Sequence, residues 1–313
     1  MRLPKRIPLF IFLLACAAGP FSCAGVKPAG EERFSTSKSY IPPGRESDSY
    51  YHFIVGQLYQ KSGQTEKALQ EYRKALEYDP KSGYLHAYVA SIYLNQGQPE
   101  KALRAAEKAV EADPGNVSAR LLVGGLYLSL NKRDKAVESY QAVLKTNPKN
   151  EEALLFLGTL YAEAKKFDDA IAQFQKLLEV DGNSLMGRYY LARVYAEMKR
   201  YDEAKRYYQS VLDIKPHFEP ALMDLAIISE VQQDPDRAVQ ILKEVLSVNP
   251  SNAEAHDRLG QLYIRQKKLN EALSEFKTVE KLTVQNHDVR TKIGLIYFEQ
   301  GRLDEALSQF NLV

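Results

Sequence analysis

Histidine is the side chain that most often moves protons or holds metal near neutral pH. This chain has five: His52, His86, His217, His256 and His287. None has a second imidazole at the His-x-x-x-His spacing that sets two ligands on one helix face. Their separations point elsewhere: His52 and His86 are 34 residues apart, and His256 lies six such steps beyond His52. Acid pairs such as Glu151-Glu152 and Asp168-Asp169 fall in the first turns of helices, where the helix dipole accounts for them. Gly124-Gly125 lies inside a helical pattern and is no phosphate loop. Seven of the 20 tyrosines recur at one fixed interval. No nucleophile stands beside a base. The chemistry-bearing residues follow a ruler, which predicts no catalysis, no cofactor and no metal.

The ruler is clearest in proline. Pro80, Pro114, Pro148, Pro216 and Pro250 fit a single 34-residue period, and Gly182 and Val284 occupy its other two marks. A fixed period of this length signals a stack of supersecondary units. Placing proline at position thirty-two gives repeats starting at 49, 83, 117, 151, 185, 219, 253 and 287, the last running only to Val313. Position eight is then Gly56, Ala90, Gly124, Gly158, Ala192, Ala226, Gly260 and Gly294. Position eleven is Tyr in every repeat but the sixth, where it is Ser229. Position twenty is Ala throughout, from Ala68 to Ala306.

Apolar residues spaced three and four apart, as in Leu157, Leu160 and Tyr161, mark a helix A. Ala170, Phe174, Leu177 and Leu178 mark a helix B. Small residues at eight and twenty leave room for the two to cross closely. Helix A is preceded by Ser82, Asn116, Asn150, Ser184, Asn252 and Asn286, with Asp48 ahead of the first, all good N-caps. Phe218 is the exception. Helix B opens with acid, from Glu66 to Asp304, which suits the positive end of its dipole.

These columns resemble the tetratricopeptide repeat (TPR) family over residues 49–313. The resemblance implies an all-α, right-handed superhelical solenoid of about eight helix-turn-helix units. The family's large aromatic at position four is replaced here by His52, His86, Arg120, Leu154, Arg188, Leu222, His256 and Arg290, so the histidines read as substitutes for a packing residue. Repeat six departs most, with Ser229, Leu242 and Pro220, and is expected to alter the local curvature.

The resemblance also implies a concave groove lined by helix A, which binds a protein or peptide segment. Carried onto this chain, the lining includes Tyr50, Phe53, Tyr84, Ala87, Ser91, Leu94, Leu121, Gly125, Leu128, Leu155, Thr159, Tyr189 and Arg193. Toward the end it becomes charged, with Glu230, Glu254, Asp257, Arg265, Asp288 and Glu299. Small and apolar residues in the first four repeats predict an interaction surface. They also fit packing against neighbouring helices. The family's carboxylate-clamp pattern, Lys or Arg at five with Asn at nine, is absent.

Net charge is +2; without Arg2, Lys5 and Arg6 it falls to −1, and no basic patch favours nucleic acid. Residues 1–24 have a basic start and a short apolar core, the pattern of an export signal. Leu13-Leu14-Ala15-Cys16 resembles a lipobox, Cys23 is a second lipidation candidate, and cleavage after Ala24 is a third reading. Residues 25–48 read as a flexible polar tether. The expectation is an exported, non-enzymatic scaffold of the bacterial envelope. It is periplasmic and anchored by a lipid, with the outer membrane favoured. It takes a segment of another envelope protein and serves assembly or export of an envelope structure. An alternative expectation makes the chain the N-terminal scaffold of a larger protein with an enzymatic or pore domain downstream. The incomplete last repeat, apolar and without a polar capping helix, also predicts self-association there.

Overall fold

The computed structural model describes residues 45–283 and 286–313. The export segment, Cys16, Cys23, residues 25–44 of the tether and Val284 lie outside the described residues. Those described form sixteen α-helices and no strand. In chain order they are α1 (Arg45–Lys61), α2 (Thr65–Tyr78), α3 (Gly83–Asn95), α4 (Pro99–Ala112), α5 (Val117–Ser129), α6 (Arg133–Thr146), α7 (Glu151–Glu163) and α8 (Phe167–Val180). There follow α9 (Leu185–Glu197), α10 (Tyr201–Ile214), α11 (Glu219–Val231), α12 (Pro235–Val248), α13 (Ala253–Arg265), α14 (Leu269–Leu282), α15 (His287–Glu299) and α16 (Leu303–Phe310). Odd-numbered helices are helix A of each repeat and even-numbered ones are helix B. The all-α helix-turn-helix array is therefore observed, in the register that proline sets.

One boundary is corrected. Helix α1 begins at Arg45, within the segment expected as tether, so Asp48 lies inside the helix and caps nothing. No glycine or proline stands between Arg45 and Gly56 to stop the helix earlier. The other caps form as expected. Asn116, Asn150 and Asn252 accept from backbone N–H groups three residues on, at 2.9, 2.8 and 2.8 Å. Ser184 and Asn286 do so at 3.3 and 3.2 Å.

The described residues divide into two compact bodies, one ending at Lys165 and the other beginning at Lys166. In each, the alanines at position twenty are buried, none more than 3% exposed. The glycines at position eight have a sharper cause than helix crossing alone. A Cβ on Gly56 would stand 2.6 Å from the Tyr72 ring, and one on Gly124 2.8 Å from Tyr140. In the second body Gly260 and Gly294 face Phe276 and Phe310 in the same way, at 2.8 and 2.6 Å. A ring from helix B lies flat on the backbone of helix A, so position eight must lack a side chain. Where position twenty-four is small or aliphatic, as at Ala106 and Leu242, position eight carries Ala90 and Ala226. Ala192 opposite Tyr208 is the one mismatch.

The turn from A to B uses one device that recurs along the array. The N–H of position sixteen bonds the carbonyl of position eleven, as Gln64 to Tyr59 at 2.9 Å and Lys132 to Tyr127 at 2.8 Å. The N–H of fifteen bonds the carbonyl of twelve, as Gly63 to Gln60 at 3.1 Å. These two bonds make a Schellman motif, which holds position fifteen at positive φ. Glycine fills it at Gly63, Gly97 and Gly301, but Asn131, Lys165, Lys199, Gln233 and Lys267 sit there with φ of 55 to 62°. Each non-glycine residue there costs on the order of 1 kcal/mol.

Candidate protein-binding face

Position four is more than a packing site. His86 bonds the Pro80 carbonyl at 2.9 Å and His256 the Pro250 carbonyl at 3.0 Å. Arg120 donates to the Pro114 carbonyl at 2.7 Å, and Arg188 to Gly182 at 2.6 Å. In these four repeats the side chain at four thus fastens helix A to the turn before it by donating to a turn carbonyl. His52 and His256 also contact Glu71 and Glu275, each at 2.6 Å. The Glu71 carboxyl is held below its usual range, chiefly by Lys74 and then by His52. Among the described residues no group of three His, Cys, Asp or Glu side chains is placed to hold a metal.

The tyrosines at position eleven join consecutive repeats in the first body. Their hydroxyls reach position twenty-five of the repeat before: Tyr93 accepts from Arg73 at 2.5 Å, Tyr127 donates to Glu107 at 2.6 Å, and Tyr161 accepts from Gln141 at 2.9 Å. Burial, with the Glu107 bond, pushes the Tyr127 phenol up to about 12. These three phenols bridge consecutive repeats.

The inner helix-A face of the first body is aromatic in repeats one and two and carries few charges, Lys61, Glu152 and Glu163. Phe53 packs edge-on against Tyr84 and Tyr88, with ring centroids 5.2 and 5.4 Å away. Tyr84 and Tyr88 are 4.7 Å apart by ring centroid and share a hydrogen bond of 2.9 Å between hydroxyls. Buried Tyr72 lies beneath and sends its hydroxyl to Gln60 at 2.8 Å. Tyr50 and Tyr84 remain 66% and 51% exposed, and Leu94 41%. Ala87, Ser91 and Leu155 are half-buried, and Gly125 is open to solvent. Leu121 and Leu128 pack partly against the core formed by α6 and α7. Thr159 is buried, its hydroxyl tied to the Phe156 carbonyl at 2.8 Å, so it is removed from the lining.

In the second body the same positions carry charge, and those charges are paired with one another across repeats. Arg258 reaches Glu230 at 3.3 Å and Glu254 at 3.1 Å, and Arg265 reaches Glu230 at 2.9 Å. Lys292 pairs with Asp257. The sequence shows these residues one repeat at a time and cannot show that they meet. Tyr189, placed in the lining by the resemblance, is only 8% exposed and moves into the core. It packs edge-on against Phe218, the last residue of its own repeat, at 5.3 Å, so the cap position of α11 is spent on packing. Glu219 accepts from the side chains of Asn249 and Asn252 at 3.1 and 2.7 Å, which ties α11 to the turn before α13. Arg193 remains at the surface edge, its ion-pair contact being Asp224 at 4.0 Å. A depression of about 780 Å³ is lined by Asn131, Lys132, Arg133, Asp134 and Lys135, which belong to a turn and not to this face.

Tetratricopeptide repeat models match residues 56–117, 124–184, 186–218 and 231–296. No curated protein matches the chain in sequence. Similar solved structures include a tetratricopeptide repeat protein from Parabacteroides merdae ATCC 43184, at TM-score 0.61 and 21% identity over 80% of this chain and 99% of that one. PilF of Pseudomonas aeruginosa aligns at TM-score 0.55 and 23% identity over 68% of this chain and 96% of its own. YrrB, a TPR protein with an unusual peptide-binding site, aligns at 0.51 and 19% over 63% and 97%. At these identities the structures testify to fold alone, whereas the repeat models cover most of the chain. The chain belongs to the tetratricopeptide repeat family.

Proposed function

We propose that this protein is a non-catalytic scaffold of the bacterial envelope that holds a partner segment on the inner helix-A face of its first repeats. TPR arrays bind proteins and peptides. The observation that carries the reading is the exposure of Tyr50, Tyr84 and Leu94 beside a half-buried ring cluster, on a face with few charges. Contiguous exposed apolar surface of this kind marks interaction sites. Tyrosine contributes large contact area at low entropic cost. The partner is an apolar helix or extended segment of another envelope protein, engaged during assembly or export of an envelope structure. The basic-then-apolar leader supports export, and Cys16 or Cys23 supplies the lipid anchor that favours the outer membrane.

The test is photo-crosslinking in living cells from positions Tyr84 and Leu94, followed by mass spectrometry. One dominant envelope protein is expected; adducts confined to the last repeat contradict the assignment of the face. Labelling with a palmitate analogue tests the anchor, and incorporation that survives both Cys16→Ala and Cys23→Ala contradicts it. A second contact, self-association, is favoured by the exposure of Leu295, Phe298, Leu303 and Leu307 in the last repeat, each between 52 and 61%. Sedimentation showing a strict monomer at high concentration rejects it.

A further inference from the structure

On the inner face of the second body Arg193 differs from the cations that follow it. Arg258 and Arg265 meet carboxylates at 2.9 to 3.3 Å, whereas Arg193 approaches its own, Asp224, only to 4.0 Å. That is beyond hydrogen-bond reach. The guanidinium lies over the Tyr189 ring, 5.8 Å from its centroid, and its side chain is 24% exposed. Asp224 is 28% exposed and accepts from the Tyr208 hydroxyl at 3.0 Å. A carboxylate has about four acceptor sites and a guanidinium five N–H donors. After these contacts both groups retain hydrogen-bonding capacity, and both reach solvent at one place, between helix A of repeat five and helix A of repeat six.

We infer that Arg193 and Asp224 together form a recognition site for a primary carboxamide, the side chain of an asparagine or glutamine in the bound segment. The inference rests on the reading that the helix-A face takes a partner segment, and it names one residue class that the segment carries. A carboxylate ligand would pair with Arg193 but be repelled by Asp224. An ammonium would pair with Asp224 but be repelled by Arg193. A primary carboxamide is neutral and presents an acceptor and a donor side by side: its oxygen accepts from the guanidinium and its N–H donates to the carboxylate. A trans backbone amide directs the two groups in opposite directions and cannot satisfy both. Burial raises the Asp224 carboxyl above its ordinary range against the opposing effect of Arg193, as expected where the existing partners compensate the carboxylate incompletely. Tyr189, Tyr208 and, from α13, Glu254 are the other titratable groups acting on it.

The full chain is titrated with three tripeptides, Gly-Gln-Gly, Gly-Glu-Gly and Gly-Leu-Gly, each with acetyl and N-methylamide caps so that no other primary amide is present. The readout is the Arg193 Nε–H resonance, assigned by its loss in Arg193→Lys. The glutamine peptide shifts it at concentrations on the order of tenfold below the glutamate peptide, and the leucine peptide leaves it in place. In Asp224→Asn the preference reverses, because the repulsion of a carboxylate is gone. Equal or tighter binding of the glutamate peptide by the unaltered chain overturns the inference, as does no response to any peptide. Crosslinks at Tyr84 and Leu94 without an Arg193 response remove this site and leave the proposed function. A response at Arg193 without those crosslinks does the opposite.

Discussion

The inner faces of the two bodies are built from the same repeat positions and have opposite chemistry. In the first, Phe53, Tyr84 and Tyr88 stack into a ring cluster with Tyr50 and Leu94 exposed beside it. In the second, Glu230, Glu254, Asp257, Arg258, Arg265 and Lys292 neutralise one another from helix to helix. A face whose charges are already paired gains little from a partner, because docking must desolvate those pairs again. A face with exposed rings gains on the order of 1.5–3 kcal/mol for each large side chain fully covered. The repeat therefore supplies one backbone for two tasks. One surface is kept available, and the other holds its own helices together.

Four perturbations test that contrast, in order of decreasing effect. Tyr72→Ala removes the ring beneath Gly56 and the floor of the aromatic cluster. It is expected to destabilise the first body by about 3–5 kcal/mol, seen as faster hydrogen exchange in α1 to α4 with α9 to α16 unchanged. Arg258→Ala strands Glu254 and leaves Glu230 with Arg265 as its remaining partner. A loss of about 2 kcal/mol in the second body is expected, shrinking in high salt, whereas the Tyr72→Ala deficit does not change with salt. Asn150→Ala, which removes the cap of α7, lowers stability by about 1 kcal/mol, measured as a lower urea midpoint. Lys199→Gly and Lys267→Gly, at positive φ, each raise stability by about 0.5–1 kcal/mol, measured as a higher urea midpoint.

The smallest effect is a pH dependence. The folded-state pKa of Asp224 is raised, so the folded protein binds this proton more readily than the unfolded chain does. Its ionised form disfavours folding. The native chain accordingly gains stability as pH falls from neutrality through the raised value, and the gain is complete below the unfolded value of about 3.9. Asp224→Asn lacks this contribution. The difference in urea midpoint between the variant and the native chain narrows between pH 7 and pH 4; a difference independent of pH contradicts the assignment.

Much of this fold was legible because a 34-residue period constrains each position eight times over. The proline marks, the alanines at twenty and the Asn and Ser caps are each local signals, and the structure bears them out. Other features needed a partner's position. Gly124 read as a residue small enough for helices to cross; its cause is one ring, Tyr140. His86 and Arg120 read as packing replacements, yet both bond the carbonyl of a proline six residues earlier. A signal was present there, since His and Arg both carry side-chain hydrogen-bond donors. The positive-φ turn had one too, in Gly63, Gly97 and Gly301 at one position, masked by lysine at Lys165, Lys199 and Lys267. On the candidate face, position in the repeat gave the side but not the depth. Tyr50 and Leu94 lie open, whereas Thr159 and Tyr189 are submerged. Depth depends on residues far along the chain, as with Phe218 over Tyr189.

The central claim is that partners are held by the aromatic face of the first body. Hydrogen-exchange footprinting of the full chain, with and without the partner identified by crosslinking, tests it most directly. The account predicts protection concentrated in α1, α3 and α5, with the charge ladder of α13 and α15 unchanged. Protection confined to α13 and α15, or to the helix-B surfaces, would contradict it.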